Sequence, residues 1–398
     1  MTEKEIKSES EDKEKLLEIE ELDFNKEEYK AELSKMQADP YNYVLNWMDS
    51  VVLYVGRKAF SVLALSPCSL ILPNISVGSN KVRSNLNVLI VASPATGKST
   101  IANKFSKITY FPLQRKSISA PELTEKAVEM KLLSLIIEDF SQTAEDYDCI
   151  KVMEGICGEE MQASKSNKRG QWLGSAKATA LLCGTPTDLE KYSKSLEGGM
   201  LSRCMVSFIS LSANQHAEVG NYINSKIGNS DYSKKIDLVE KVVLDYYSEL
   251  LTIQTGKHKI KPIKGFNFEG SGKDIIYKEW NKVSQALIKD LGEYSYIRDL
   301  YDAYRIAVAS AFLNIHNRSH ENGILTPNKE DFQLGLRLMK ENMRFKWALM
   351  KATILNRNVK SIEALQQWLG SEVSSTVKEI LINISHYGQF VKKEDIFK

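Results

Sequence analysis

The chain has 398 residues, 43% hydrophobic and 26% charged, the balance of an ordinary folded protein with room for two or three domains. No apolar run approaches the roughly 18 residues that span a bilayer, and the polar start MTEKEIKSES predicts no secretory leader. Five scattered cysteines with no CxxC pair exclude a disulfide framework and a zinc site, and point to reduced thiols in the cytoplasm.

The formal net charge is +2, unevenly spread. Residues 1–38 are Glu/Lys-rich with few aromatics and read as a charged, disordered arm. The remainder is basic, which leaves room for nucleic acid as a partner without demanding it. Asp39-Pro40 marks a break, and the apolar stretch 41–72 predicts one or two buried helices, with Pro67 and Pro73 bracketing a bend. Segment 39–75 is thus a helical lead-in. Buried strands are predicted at 88–91, 132–137, 179–184 and 205–211, with helices at about 100–108, 121–131 and 148–155. This alternation implies a parallel, three-layer α/β core over about 76–215. Helical patterns dominate from 237 to 255 and at 272–290, 296–317, 328–352 and 360–369, so 216–355 reads as a helical lid. Residues 356–398 hold further helices.

The stretch Asn87 to Thr100, NVLIVASPATGKST, carries the clearest chemistry. A strand enters a loop of small residues, Ala92, Ser93, Pro94, Ala95, Thr96 and Gly97. A helix then opens on Lys98, Ser99 and Thr100. This is close to the phosphate-binding G-x-x-x-x-G-K-[ST], with Ala92 in place of the first glycine, which is tolerable if Ala92 keeps a negative φ. Backbone N–H groups and a helix N-terminus would cradle phosphate, Lys98 would reach the β/γ-phosphates of ATP, and Ser99 would ligate Mg²⁺. An acidic pair, Glu138-Asp139, ends the apolar run 132–137. By position Glu138 falls to the metal and Asp139 to the attacking water, although the order is the reverse of the usual Asp-Glu. Thr185, closing the next strand, is the candidate polar contact to the γ-phosphate. Arg203, in a turn before the last strand, is the candidate source of positive charge.

The order of these elements resembles the AAA+ ATPases and, among them, the MCM replicative helicases. Ile137-Glu138-Asp139-Phe140 resembles I-D-E-F, and Leu182-Cys183-Gly184-Thr185-Pro186 resembles a strand ending A-A-N-P. Leu201-Ser202-Arg203 resembles the arginine-finger L-S-R-F. Arg298 through Ile306 resembles the sensor-2 helix of the lid, and 326–339 its last helix. The likeness covers about 80–350. With so little chain before the phosphate loop, it suggests a reduced phage or plasmid relative of MCM.

The resemblance implies a P-loop AAA+ core, a helical lid and a partial winged-helix segment at the C-terminus. It implies a homo-oligomeric ring, a hexamer in the family, with ATP and Mg²⁺ between subunits. Arg203 would serve the neighbour's site and Arg298 would contribute from the lid. It also implies a channel hairpin at about 159–170, where Lys165, Lys168 and Arg169 would contact DNA phosphates. The expected activity is a DNA motor. The alternative is a nucleotide switch that acts as replication initiator or loader and binds a replication protein.

Overall fold

A computed structural model describes residues 25–77, 80–158, 176–185, 201–209, 211–268, 271–291 and 297–358. The described residues open with four helices, α1 (Lys26–Ala38), α2 (Pro40–Val51), α3 (Gly56–Leu63) and α4 (Ser66–Ile71). Asn25 caps α1. Asp39 caps α2, with Pro40 in its first turn, where the missing N–H costs nothing. The sequence predicted one or two helices here; the turn at Val52–Val55 makes three of the stretch after Asp39. Its tightness explains Gly56, where a Cβ would lie 2.0 Å from the Met48 carbonyl oxygen. Pro67 begins α4 rather than bending the chain, for the same reason as Pro40.

A short hairpin, β1 (Ile75–Val77) and β2 (Asn80–Val82), leads into β3 (Asn87–Ala92). Then follow α5 (Lys98–Ile108), β4 (Pro112–Arg115), α6 (Ala120–Met130) and β5 (Leu132–Ile137). After them come α7 (Phe140–Thr143), α8 (Tyr147–Cys157), β6 (Lys177–Gly184) and β7 (Cys204–Ile209). The five strands β3–β7 form one parallel sheet in the order β4-β5-β6-β3-β7. Strand β4 was not legible in the sequence, because an exposed edge strand of four residues, PLQR, carries neither an apolar run nor a clean alternation.

Every residue of β3 is buried. Its alternate side chains fall into two different cores, as the two-residue strand period requires. Val88, Ile90 and Ala92 join Ile101 and Phe105 of α5 and the N-terminal helices. Leu89 and Val91 face the other way, toward Leu123 of α6 and Ile150 and Met153 of α8. Helices therefore cover both faces of the sheet, the usual burial of a parallel sheet.

A helical region follows: α9 (Ala213–Lys226), α10 (Ser230–Gln254), α11 (Ser271–Leu291), α12 (Ile297–Leu313) and α13 (Lys329–Asn358). A two-stranded parallel pair, β8 (Gly265–Phe266) and β9 (Ile324–Leu325), ties its loops together. Helix α9 was not predicted; it buries none of its residues, so its sequence carries no strong apolar stripe. The first core is continuous from Met36 through the sheet to Val242, Tyr246, Phe312 and Leu338. The lead-in helices, the sheet and the helical region therefore fold around common apolar contacts. Lys104 and Lys107 of α5 both pair with Glu240 of α10, Lys107 at 2.6 Å. The predicted helix at 360–369 and the winged-helix-like segment lie outside the described residues.

Candidate active site

In a parallel sheet all strands end on one edge, and ligands bind there, where connections leave a central strand in opposite directions. Strand β3 is such a strand, flanked by β6 and β7. Register places Val91 beside Gly184, and Leu182 beside Ile137. The phosphate-type loop after Ala92, Thr185 after β6 and Glu138-Asp139 after β5 therefore lie side by side on that edge.

The loop has the conformation an anion cradle needs. Ala92 closes β3, buried and without positive φ, which meets the condition its methyl group imposes. Ala95 (φ 63°) and Gly97 (φ 84°) are left-handed, and Thr96 Oγ1 donates to Ser93 O at 2.8 Å. Gly97 has a second constraint, since a Cβ there would meet a Val52 methyl at 2.8 Å. The turn between α2 and α3 thus forms a wall of the loop. Helix α5 starts with no side-chain cap on its N–H groups, and Ser99 and Thr100 are exposed. These are the groups that would face a phosphate.

Lys98 folds back, donating to Ala92 O at 2.6 Å and Ser93 O at 2.9 Å. Burial pulls its ammonium below the usual lysine range, and the nearby Asp139 carboxylate works against that shift. Asp139 caps α7, accepting from Ser141 N at 3.3 Å and from the Ser141 hydroxyl. Glu138 accepts from Gln114 Nε2 at 2.7 Å, and the same amide donates to Asn103 of α5 at 2.7 Å. Gln114 is a site residue that sequence reading missed, because it belongs to the unpredicted β4. A polar residue inside a short edge strand, one strand away from an acidic strand end, is the signal that would have found it.

The residues present fit a nucleoside triphosphate with Mg²⁺. A left-handed loop, uncapped helix N–H groups, a lysine, an exposed Ser99 and a carboxylate on the neighbouring strand end form the donor set that chemistry uses. Among the described residues no cluster of three or more His, Cys, Asp or Glu is placed to hold a metal by itself. Mg²⁺ would accordingly be shared with the phosphates, through Ser99 and Glu138.

The two arginines lie elsewhere. Arg203 ends a 3-10 turn, Leu201–Arg203, and Cys204 after it pairs with Asn87 at the opposite end of β3 from the loop. The six residues of β3, five steps of about 3.3 Å or roughly 17 Å, separate the two edges. A Cβ on Gly158, just past α8, would lie 3.5 Å from Arg203 Nε. Arg298, at the start of α12, donates to the Ser202 hydroxyl. Lys346 of α13 reaches Ser202 O at 3.1 Å and Asp299 at 3.0 Å, and Asn342 holds Val206 N at 2.9 Å. The helical region thus fixes the turn that carries Arg203, and the structure brings Arg203 and Arg298 together, away from the phosphate loop of the same chain.

At this far edge the segment between β2 and β3, with the first residue of β3, holds the end of α8. Arg83 donates to Gly155 O and Ile156 O at 3.2 and 2.7 Å, and Asn85 and Asn87 to Cys157 O at 3.0 and 3.1 Å. They satisfy the last carbonyls of α8, which no helical partner can reach. Beside them Lys177 Nζ donates to Ser69 O, Leu72 O and Ser84 Oγ at 3.1, 2.8 and 2.7 Å. Burial, with Arg83 and Arg305 nearby, brings the Lys177 ammonium down to about 7.

No family model and no curated protein matches the chain. Lys165, Lys168 and Arg169, expected in a channel hairpin, lie outside the described residues, as does Pro186 after Thr185. Among the described residues no helix is long and apolar enough to cross a membrane. All five cysteines are buried.

Proposed function

We propose that the protein is an ATPase of the AAA+ type, hydrolysing ATP with Mg²⁺ at the loop of Ala92 to Thr100. The observation that carries this reading is the alignment on one sheet edge of the phosphate-type loop, Thr185 and Glu138-Asp139. Lys98 and the N–H groups of the α5 start hold the phosphates. Bound Mg²⁺ would supply charge neutralisation of the phosphates. Thr185 contacts the γ-phosphate, and Glu138, held by Gln114, with Asp139, orients the metal and the attacking water.

Arg203 and Arg298 share the opposite edge, so in this reading they serve a neighbouring subunit in a homo-oligomeric ring, as the MCM resemblance implies. The stretch at about 159–170, with Lys165, Lys168 and Arg169, would then track DNA, making the protein a motor of replication. The second reading, a slow nucleotide switch that acts as initiator or loader, is favoured by the engagement of both acids: Asp139 as a helix cap, Glu138 by Gln114.

Turnover measured with and without single-stranded DNA separates the readings. Stimulation by DNA with strand unwinding supports the motor, and tight ATP binding with slow, DNA-independent turnover supports the switch. Failure to bind ATP, in a folded protein, overturns both.

A further inference from the structure

Away from the phosphate-type loop, a groove of about 530 Å³ lies between α3, the edge strand β7 and α13. Its floor is apolar, formed by Leu45, Val62, Val88, Met205, Phe208 and Leu338. Its rim is cationic. Arg57 and Lys58 stand on α3, Arg337 and Arg344 on α13, all exposed, and among the described lining residues Glu341 is the one acid. Arg57 is held in place by Asn46 and Asn42 at 2.7 and 3.1 Å. Arg337, Glu341 and Arg344 share one helix face by their spacing. The N–H of Val206 on the strand edge is already taken by Asn342, so recognition falls to side chains.

We propose that this groove docks the acidic N-terminal arm, residues 1–24, of its own chain. Charge complementarity selects it. Those residues hold ten acidic and four basic side chains, whereas residues 359–398 balance five acids with five bases. Reach permits it. Helix α1 spans 13 residues, roughly 20 Å, and ends just before Tyr41, which lines the groove. About six extended residues cover that distance. This brings residues before Ile19 to the groove: Leu16 and Leu17 to meet the apolar floor, with Glu9, Glu11, Asp12, Glu14 and Glu18 for the rim. Tethering supplies an effective concentration on the order of millimolar, so weak contacts suffice. A sugar-phosphate chain fits less well, because the floor is apolar and Glu341 stands between the two arginines of α13. The proposal is independent of the nucleotide site.

Lys58 makes the test direct. A zero-length carbodiimide cross-linker joins its amine to a carboxylate in contact, and mass spectrometry of the full-length protein identifies the partner peptide. The expected result is a cross-link from Lys58 to residues 1–24 within one chain, checked by mixing isotope-labelled and unlabelled protein. Its yield should fall by about fivefold or more in high salt, in Arg337→Glu/Arg344→Glu, and in Glu11→Gln/Asp12→Asn/Glu14→Gln/Glu18→Gln. Melting curves establish that the variants fold. The proposal is overturned if Lys58 joins other carboxylates, if the cross-link runs only between chains, or if folded variants retain the full yield. It is also overturned if a labelled single-stranded oligonucleotide binds through Arg337 and Arg344 with an affinity that neutralising the arm leaves unchanged.

Discussion

Individual side chains carry the sharpest expectations. Lys98→Ala should abolish ATP binding, read by fluorescent-nucleotide titration. Gln114→Ala should lower turnover by about tenfold or more while leaving ATP affinity nearly unchanged, because it removes the group that orients Glu138 and not a phosphate contact. Equal loss in Gln114→Glu, with unchanged binding, would strengthen the case for the amide donor. Lys177 gives a pH signature. Its folded-state value, about 7, lies below that of the unfolded chain, so between these values the unfolded state binds more protons and stability rises with pH. The buried thiols act oppositely. Burial raises Cys149, Cys183 and Cys204 to about 12, so above roughly pH 8.5 the unfolded chain loses protons first and stability falls. The lysine contribution is therefore read as a difference: the melting temperature of wild type relative to Lys177→Met should rise steadily from about pH 7 to pH 10. A constant gap would show that Lys177 does not titrate in that range.

At the scale of elements, the segment before β3 and the helical region explain residues that chemistry alone leaves idle. Arg83→Ala uncaps α8 and leaves buried carbonyls unsatisfied, which should cost about 1–3 kcal/mol in denaturant unfolding. Lys346→Met takes a cation from the buried Asp299 carboxylate, which keeps its bond from Asn342, and should lower the denaturant midpoint, while Lys346→Met with Asp299→Leu should recover part of the loss. Apolar periodicity made β3, β5, β6 and β7 legible, because a strand buried on both faces writes itself as an unbroken apolar run. It could not reveal β4 or α9. One is a short edge strand, the other a helix with nothing buried, and neither needs an apolar signature. For the same reason the loop, Thr185 and the acids were readable from sequence, whereas Gln114 was not. The placement of Arg203 away from its own chain's loop came from the resemblance alone, since spacing along the chain does not say which edge of a sheet a turn occupies.

For the whole molecule, the separation of Arg203 from Lys98 by the length of β3 makes a prediction about mixtures. Lys98→Ala and Arg203→Ala should each lack turnover. Mixed together they should regain part of it if one subunit's arginine completes another's site, since some interfaces then combine an intact loop with an intact arginine. No recovery in mixtures shown to exchange subunits would assign Arg203 to holding α8 instead. Light scattering with and without ATP reports whether an assembly is present to be mixed.

The two lysines of α5 that grip Glu240 have a consequence at this largest scale. The helix that begins at the phosphate loop is braced, two turns on, against the 25-residue helix α10, so neither shifts without loading the other. Such a strut conducts in both directions. Whatever factor nucleotide contributes to the grip of a partner on α10, that partner must return to the grip on nucleotide, by thermodynamic necessity. A ligand of the helical region would then act as a brake or an accelerator on the phosphate loop without ever touching it.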